Sequence, residues 1–348
     1  MNYKIYHLSH TDLDGYGCQL VTKNYFENIS YYNSNYGKEI NERFNEILED
    51  IQSDNLENNL ILITDLNLTI EQAKELEGKL RVNDKNIQVL LLDHHKSGQD
   101  CEQEFSWYFL DHTRSATKIT YDFFSALMGK NEKLSKFVDV VNAVDIWLED
   151  DKEFELGKVC LGLVSGIKEL NRTMFPTQNT EYTFELLKRA QDVFNEENPH
   201  IKLDEKVFFF KKEFFRKNKA DDTLSNLVSE YNVELLTKNR EKMQITYEDY
   251  KGILTYNIGN VSIIGNDFLK RNPDYDFFMD VTSRKTISLR ANGNVDVSKM
   301  AARLGNGGGH PNASGGLLNS FKDGFVYDNI KKQVNDIILS KGINNARG

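Results

Sequence analysis

The sequence predicts an α/β protein with an N-terminal doubly wound parallel sheet and a second, smaller α+β domain. Two nearly continuous aliphatic runs, LILITDL at 60–66 and IQVLLLDHH at 87–95, are typical of strands in a sheet that is covered on both faces. Amphipathic stretches alternate with short apolar runs up to this point. A length of 348 residues also favours two domains over one large α/β unit.

The N-terminal elements follow the order βαβαβαβ, which implies a parallel sheet with right-handed crossovers. We expect strands at 3–8, 30–35, 60–66 and 87–95. The first helix is expected at 15–27, because Cys18, Val21 and Tyr25 are spaced as one buried face. Further helices are expected at 39–51, 70–80, 115–127 and 132–147.

The rest of the chain is expected to form a connector and a second domain. We place the boundaries at 1–178 for the first domain, 179–243 for a helical connector and 244–348 for the second domain. The connector contains FFFKKEFFRK at 208–217. We interpret this stretch as a helix with phenylalanines against the core and lysines outside, and a base-stacking patch is the alternative. In the second domain, strands are expected at 245–258, 275–282 and 286–290, and helices at 267–271, 297–304 and 327–340.

Charge and hydropathy argue against several classes of protein. A net charge of −10 disfavours a protein that binds long nucleic acid through a broad basic face, because such binding needs many Lys and Arg contacts to phosphate. Neither a membrane span nor a signal peptide is evident, so we expect a cytoplasmic protein without membrane contact. Cys18, Cys101 and Cys160 are far apart and odd in number, which predicts reduced thiols rather than a disulfide framework. The oligomeric state is not indicated.

The stretch SHTDLDGYG at 9–17 gathers His10, Asp12 and Asp14 within five positions, directly after an apolar run. Taken alone, the two aspartates fit a turn or a helix cap, since Asp favours both roles. An EF-hand calcium loop does not fit. In an EF-hand, the glycine follows a third ligand position and a glutamate closes the loop, and this stretch has neither feature. The stretch therefore needs partners elsewhere in the chain to be a metal site.

Partners for this stretch follow three other apolar elements. Asp65 comes after LILIT, His94 comes after VLLLD, and Asp145 lies on the apolar-faced stretch VVNAVDIW. Because the carboxyl ends of neighbouring parallel strands meet at one crevice, we expect the first two to lie beside the SHTDLDGYG stretch. Carboxylates so close together resist ionisation unless cations neutralise them. The sequence therefore predicts a divalent metal site of mixed carboxylate and imidazole ligands, suited to Mn²⁺, Mg²⁺, Fe²⁺ or Zn²⁺.

The motifs that carry these residues resemble those of a known family. HTDLDG, ITDL, LLDHH and NAVDIW, in this order and spacing, resemble the four motifs of the DHH phosphoesterase superfamily. GNGGGHPNASG resembles the GGGH motif of the DHH-associated domain that follows it. The resemblance spans nearly the whole chain and is greatest to the nanoRNase NrnB branch, relatives of NrnA and the RecJ exonucleases. It implies a hydrolase that uses two metal ions, usually manganese with magnesium as the alternative, to cleave phosphoester bonds.

The resemblance also implies roles for individual residues. The expected metal ligands, with Asp65 bridging two ions, are Asp12, Asp14, Asp65, His94 and Asp145. Many relatives have a histidine four residues before the DxD pair, where this chain has Leu8, so His10 is open between ligand, phosphate contact and neighbour. Asp93 is expected to orient a neighbouring group rather than bind metal. His95 is expected to reach the phosphate and, with Asp65 and His94, to belong to the catalytic group.

The glycine-rich stretch GNGGGH is expected to bind substrate. It lacks the Lys-Ser/Thr ending of a P-loop, and it follows a helix rather than a strand, unlike a dinucleotide-binding loop. Its remaining use is to bring backbone N–H groups close to an anion, which side chains at Gly307, Gly308 and Gly309 would obstruct. His310 would then donate to the phosphate. Arg290 resembles the substrate-clamping arginine of the family, with an ordinary surface arginine as the alternative.

Together these features predict a two-metal phosphodiesterase that degrades short RNA of about two to five nucleotides to mononucleotides, as a 3′-to-5′ exonuclease. The expected substrates are short RNA oligonucleotides or dinucleotides. One alternative is a hydrolase of linear or cyclic dinucleotides or of the nucleotide bisphosphate pAp. Another, from a different class, is a nucleotide sensor without catalysis, which the intact set of candidate ligands disfavours.

Overall fold

The computed structural model describes residues 3–217 and 219–342, which form two compact units. Unit 1 runs to Ile167 and includes Thr180–Phe210. Unit 2 contains Lys168–Asn179 and the described residues from Lys211 onward. The helices α8 (Pro176–Gln191) and α9 (Pro199–Arg216) have residues in both units.

Unit 1 is built on a five-stranded sheet in which every neighbouring pair is parallel. Its strands are β1 (Lys4–Ser9), β2 (Ile29–Asn33), β3 (Asn58–Thr64), β4 (Asn86–Asp93) and β5 (Tyr108–Leu110). Their order is β2-β1-β3-β4-β5, so the chain reverses its direction of travel across the sheet between β1 and β3. In open parallel sheets, ligands bind outside the carboxyl ends of the strands at such a point.

Helices cover both faces of this sheet. The helices of unit 1 outside α8 and α9 are α1 (Leu13–Lys23), α2 (Lys38–Ser53), α3 (Ile70–Arg81), α4 (Gln99–Glu104), α5 (Ala116–Met128), α6 (Glu132–Asp145) and α7 (Phe154–Ser165). Ile61 and Ile63 of β3 join a core with residues of α2 and α3, whereas Leu62 joins a second core with Ile119 and Phe124 of α5. Successive side chains of a strand point to opposite faces. The doubly wound parallel sheet expected from the aliphatic runs is therefore confirmed.

The carboxyl ends of the three central strands are aligned. Ser9 of β1 pairs with Thr64 of β3, and Thr64 pairs with Leu92 of β4. The next residue along each strand therefore leaves the sheet at nearly the same level. This register places the segments after β1, β3 and β4 side by side.

Unit 2 contains a six-stranded mixed sheet in the order β10-β11-β9-β8-β7-β6. Its strands are β6 (Gln244–Tyr247), β7 (Tyr250–Tyr256), β8 (Phe277–Val281), β9 (Thr286–Ala291), β10 (Gly308–His310) and β11 (Ala313–Leu317). Only β7 and β8 pair in parallel among these described strands. Its helices are α10 (Leu224–Lys238), α11 (Arg240–Met243), α12 (Val261–Arg271), α13 (Val297–Gly305) and α14 (Tyr327–Gly342). The second, smaller α+β domain predicted from the sequence is thus present.

Some elements differ from those expected. The single strand expected at 245–258 is a hairpin of β6 and β7, with Glu248 at φ 53° in its turn. The glycine-rich stretch expected to be a loop pairs as β10 and β11. Helix α7 and the short elements α4 and β5 were not expected. In each segment the apolar pattern repeats too few times to predict a helix or a strand.

No helix among the described residues is long and apolar enough to span a membrane. The three cysteines are buried and form no disulfide, as expected.

Candidate metal centre

Seven of the residues singled out from the sequence come together at the carboxyl ends of β1, β3 and β4. In this part of the chain, three groups of side chains have ligand atoms within 4.8 Å of one another. The groups are His10, Asp12 and Asp65; Asp14, His94 and Asp145; and Asp65, His94 and His95. The expected convergence of distant segments is therefore present in unit 1.

Asp65 lies between the first two groups. It follows β3 in the left-handed region, with φ 55°, a conformation that aspartate tolerates better than most residues. Its amide still donates to the carbonyl of Leu92 at 3.2 Å, so the backbone is held by β4. One carboxylate oxygen, Oδ2, lies 3.7 Å from Nδ1 of His10, and the other, Oδ1, lies 3.3 Å from Nε2 of His94. The two oxygens thus face two different sets of donors.

Asp12 combines the cap role and the ligand geometry that the sequence left as alternatives. Its Oδ1 accepts a hydrogen bond from the amide of Gly15 at 3.0 Å and so caps the start of α1. Its Oδ2 lies 2.9 Å from Nδ1 of His10. A β-carbon at Gly15 would lie 2.4 Å from the carbonyl oxygen of His10, so only glycine lets α1 begin this close to the histidine. His10, the least certain of the expected ligands, faces both Asp12 and Asp65.

Asp14 is fixed by the start of α5. Its Oδ1 accepts from the amide of Thr117 at 2.8 Å, and its Oδ2 accepts from the amide of Ala116 at 2.7 Å. These amides belong to the first turn of a helix, where unpaired N–H groups favour a negative charge. The same Oδ2 lies 3.7 Å from Nε2 of His94.

The Nε2 atom of His94 is surrounded by carboxylates. Besides Asp14 and Asp65, the Oδ2 atom of Asp145 lies 3.6 Å away. Asp145 is the last residue of α6, so the end of this helix delivers its carboxylate to the cluster. A nitrogen that faces three acids is suited to share a cation with them.

The electrostatics of the cluster favour a bound cation. Burial and then the charges of Asp14 and Asp12 raise the pKa of Asp65 well above its ordinary value. The same causes, in the same order, raise the pKa of Asp145 to about 9. Asp12 is the exception: burial opposes its charge, but His10 and the Gly15 amide outweigh this and lower its pKa to about 2. Ionisation of all four acids together therefore needs positive charge from outside the chain.

Unpaired polar atoms provide a direct test of whether a metal fits. Among the described residues, no hydrogen-bond partner is found for Oδ2 of Asp65 or Oδ2 of Asp145, although both atoms are buried. Buried polar atoms nearly always have partners, and both residues belong to the three groups. Carboxylate oxygens left open in this way, beside the imidazoles of the cluster, match a divalent ion.

Asp93 and His95 form a separate hydrogen-bonded chain beside the cluster. Asp93 is fully buried and accepts from Nδ1 of His95 at 2.8 Å and from the hydroxyl of Tyr108 at 2.7 Å. Burial acts to lower the pKa of His95, but the hydrogen bond and charge of Asp93 outweigh it and raise the pKa. The geometry matches the orienting role expected for Asp93, with His95 as the group that it orients.

Sequence reasoning missed Tyr36, which completes this chain. Its hydroxyl lies 3.0 Å from Nε2 of His95, and its ring lies 4.7 Å from that of His10 between centroids. The tyrosine is 42% exposed although it lies beside buried acids. No motif marks it, since it comes from the loop after β2, the weakest of the expected strands.

Sequence reasoning also missed His7, a residue of β1 that forms hydrogen bonds next to the cluster. It is fully buried, with Nδ1 2.9 Å from Oγ1 of Thr22 and Nε2 2.8 Å from Oγ1 of Thr64. Burial lowers the pKa of His7 to about 3, so its ring is neutral. Oγ1 of Thr64 also lies 2.7 Å from Oγ of Ser9. This polar network links β1 to β3 at Thr64, the residue that precedes Asp65.

Apart from His95, the expected substrate-binding residues lie in unit 2. His310 of β10 pairs with Ala313 of β11, which pairs in turn with Arg290 of β9, so the three side chains project from one face of the sheet in a row. The guanidinium of Arg290 donates to Oγ of Ser262 and to its own neighbour's carbonyl. The His310 side chain is exposed.

Strand pairing explains why this stretch contains glycines, which the sequence did not reveal. A β-carbon at Gly307 would lie 1.9 Å from the carbonyl oxygen of Gly315, and one at Gly309 would lie 2.7 Å from that of Ala313. Both glycines are therefore needed for close pairing with β11. At Gly308 a β-carbon would meet nothing within 4 Å, so this position leaves room for a ligand.

Comparison with known proteins agrees with this geometry. Residues 4–143 match the family model described as "DHH family, N-terminal domain". The chain is 43% identical over 342 residues to a 3′,5′-cyclic-nucleotide phosphodiesterase of Helicobacter pylori (strain ATCC 700392 / 26695), covering 96% of this chain and 98% of that protein. It is 28% identical over 325 residues to oligoribonuclease NrnB of Bacillus subtilis (strain 168), covering 89% of this chain and 72% of that protein.

A solved structure is similar over almost the full length. The crystal structure of an uncharacterised protein from Helicobacter pylori G27 has a TM-score of 0.92 and 42% identity, with 97% of this chain and 100% of that chain covered.

Proposed function

Because the chain belongs to the DHH family of metal-dependent phosphoesterases, we propose that it hydrolyses the 3′,5′-phosphodiester bond of small nucleotides with two divalent ions. The observation that carries this proposal is the division of the Asp65 carboxylate between two donor sets. One carboxylate that faces both sets is the arrangement expected of a ligand shared by two cations.

The residues that would hold the ions follow from these sets. His10, Asp12 and Asp65 would hold one ion. The other would be held by Asp14, Asp65, His94 and Asp145. Mn²⁺ suits this mixture of imidazole and carboxylate, and Mg²⁺ is the alternative. Such ions, when bound, lower the pKa of water and neutralise charge on the phosphate.

His95 and Tyr36 would contact the substrate. With its raised pKa, His95 carries a proton on each nitrogen over a wider pH range than a free imidazole. Nδ1–H then donates to Asp93, and Nε2–H donates to the hydroxyl of Tyr36. The hydroxyl proton of Tyr36, whose acceptor in the structure is the carbonyl of Asp65 at 3.5 Å, would turn to a phosphate oxygen when substrate binds. Asp93 thus positions a positive ring where negative charge develops during displacement at phosphorus.

Unit 2 has candidate substrate-binding residues of its own. His310 and the open position at Gly308 would contact the terminal phosphate or the sugar, and Arg290 would add a charge on the same face of the sheet. Arg290 already donates to Ser262, so this contact requires its guanidinium to serve two acceptors, which its five N–H groups allow.

The relatives support two substrate classes that share the same bond. The first is a 3′,5′-cyclic nucleotide, which the name of the Helicobacter pylori relative states for that protein at 43% identity over nearly the full chain. The second is short RNA, which the name of the oligoribonuclease NrnB supports at 28% identity. A length of about two to five nucleotides and degradation from the 3′ end are part of our proposal for this class. We place the cyclic nucleotide first because its relative is more similar and matches almost end to end.

A panel assay separates these possibilities. The purified protein is incubated with Mn²⁺ and then with Mg²⁺, together with cyclic AMP, cyclic GMP, ApA, an end-labelled RNA 5-mer, pAp and a cyclic dinucleotide. We expect cleavage of the cyclic nucleotides to mononucleotides, at a higher kcat/KM than for ApA or the 5-mer. Faster cleavage of ApA and the 5-mer would assign the protein to the oligoribonucleases. Cleavage of none of these by the wild type, with saturating binding of the same compounds, would support the sensor alternative and contradict the proposal.

A further inference from the structure

The turn after Asp145 has a tryptophan where glycine is normally found. The amide of Trp147 donates to the carbonyl of Val144 at 3.3 Å, and that of Leu148 donates to the carbonyl of Ala143 at 2.8 Å. This pair of bonds forms a Schellman motif at the end of α6, whose left-handed position usually holds glycine because a β-carbon is disfavoured there. Trp147 adopts that conformation, with φ 58°.

Burial does not account for the tryptophan. Its side chain is 57% exposed, so much of its apolar surface remains in contact with water. The indole N–H donates to Oε1 of Glu149 at 2.7 Å, and the ring meets that of Phe154 edge-on, with an angle of 84° and 5.1 Å between centroids. These contacts fix the orientation of the indole and leave much of its surface open.

The backbone of Trp147 is close to the metal cluster. Trp147 is two residues after Asp145, and two residues span at most about 7 Å. The Oδ2 atom of Asp145 is itself 3.6 Å from Nε2 of His94. A ribose separates the phosphate of a nucleotide from its base by a comparable distance. A nucleotide with its phosphate at the cluster and its base turned toward the end of α6 would therefore reach Trp147.

From these observations we propose that Trp147 is the nucleobase platform of the site, on which the base of the substrate stacks. The inference rests on the proposed function, because it takes the substrate to be a nucleotide. An exposed, rigid aromatic surface beside a phosphate-binding centre is the form that base stacking takes in proteins that bind single-stranded nucleic acid. Stacking tolerates every base, and the larger ring system of a purine gains more from it than a pyrimidine does.

Two variants test this role without threatening the fold. Trp147→Gly supplies the residue that the Schellman motif favours, so its melting temperature should equal or exceed that of the wild type. Trp147→Phe keeps a ring. With whichever of cyclic AMP and ApA the wild type cleaves, we expect KM to rise about 5- to 100-fold in Trp147→Gly and by less in Trp147→Phe. The matched control is Leu127→Ala, another exposed apolar residue, near the far end of α5.

A substrate without a base distinguishes stacking from a structural effect. The same variants are assayed on the ribose 3′,5′-cyclic phosphate that lacks the base. The proposal expects the loss caused by Trp147→Gly to be several-fold larger for the complete nucleotide than for the base-free compound. Equal losses on both compounds, or an unchanged KM for the nucleotide, would overturn it.

Binding measured by fluorescence keeps this inference separate from the proposed function. AMP is titrated into the protein in the presence of Mn²⁺, and stacking should quench the Trp147 emission. Quenching in the wild type that disappears in Trp147→Phe supports the platform even if no nucleotide in the panel is cleaved. Equal quenching in the two proteins, or none in the wild type at saturating AMP, refutes it.

Discussion

The Nε2 atom of His94 lies 3.3 Å from Oδ1 of Asp65, while the other oxygen of Asp65 faces His10. One side chain thus belongs to two donor sets. We predict that Asp65→Ala lowers kcat/KM by at least about 10³-fold, because neither set keeps its shared ligand. Metal analysis of the purified variant should find fewer than two ions per chain. Asp84→Ala, which removes an exposed aspartate, is the control and should retain both activity and metal.

Metal binding should stabilise the fold. The acids of the cluster are buried together, and their charges oppose one another until cations are bound. With Mn²⁺ at 100 times its dissociation constant, the free energy of unfolding should rise by about 2.7 kcal/mol, and EDTA should reverse the gain. Differential scanning calorimetry measures both. A melting temperature that does not change with Mn²⁺, or an equal rise in Asp65→Ala, would contradict the assignment of these ligands.

Replacement of Asp93 should impair catalysis without disrupting the fold. Asp93→Asn keeps the acceptor for Tyr108 or for His95 but loses the charge that holds the imidazole. Loss of an orienting partner of this kind costs about 10- to 100-fold in activity or metal affinity. The expected result is a fall in kcat within this range and an unchanged far-UV circular dichroism spectrum. Wild-type kcat in this variant would show that His95 needs no partner.

Gly15 and Gly78 allow a matched comparison of two glycine-to-alanine substitutions. In Gly15→Ala the new β-carbon would lie 2.4 Å from the carbonyl oxygen of His10, so the loop that holds His10 and Asp12 must shift. We expect a loss of about 1–3 kcal/mol in the free energy of unfolding and weaker Mn²⁺ binding. Gly78 is exposed in α3 with nothing near its β-position, so Gly78→Ala should gain about 0.5–1 kcal/mol. Urea denaturation tests both, and a neutral Gly15→Ala would be the contrary result.

Asp280 should make unit 2 sensitive to pH. Burial raises the pKa of this acid to about 7, although the Ile258 amide and the Thr255 hydroxyl act against the rise. An unfolded aspartate titrates near 3.9, so the native state keeps a proton that the unfolded state has lost between about pH 4 and pH 7. The contribution of Asp280 to the free energy of unfolding is therefore complete below about pH 4 and is lost as the pH rises to about 7.

The isosteric variant Asp280→Asn removes this dependence. At pH 8 we expect it to exceed the wild type by roughly 2–4 kcal/mol in the free energy of unfolding, and at pH 5 by less than half of that. Urea titrations at the two values provide the comparison. A difference that is the same at both pH values would mean that Asp280 ionises in the native state as it does in the unfolded chain.

The sequence predicts the parallel sheet and the cluster well because the same residues specify both. Ile61, Ile63 and Leu62 form a run that only a sheet covered on both faces can bury, and Asp65 follows at its end. The end of α6 was placed two residues late, at Trp147, because no glycine marks the turn there.

Other features depend on tertiary packing and cannot be predicted from the spacing of apolar residues in the sequence. Three consecutive phenylalanines cannot share one face of a helix. Phe208 and Phe209 are accordingly exposed and Phe210 is buried, and the ion pair of Lys211 with Glu169 leaves that lysine only 12% exposed. The expectation that the phenylalanines of α9 lie against the core and its lysines outside was therefore wrong for Phe208, Phe209 and Lys211, whereas Phe210 and Phe215 are buried as expected. Tyr36 likewise enters the cluster through the fold of a loop.

The hydrogen bonds from Ala116 and Thr117 to Asp14 join positions about a hundred residues apart in the chain. The first turn of α5 cannot open without releasing a carboxylate from the centre. Unwinding of this turn would therefore release a ligand of the centre, so we expect saturating Mn²⁺ to slow amide exchange at these two positions.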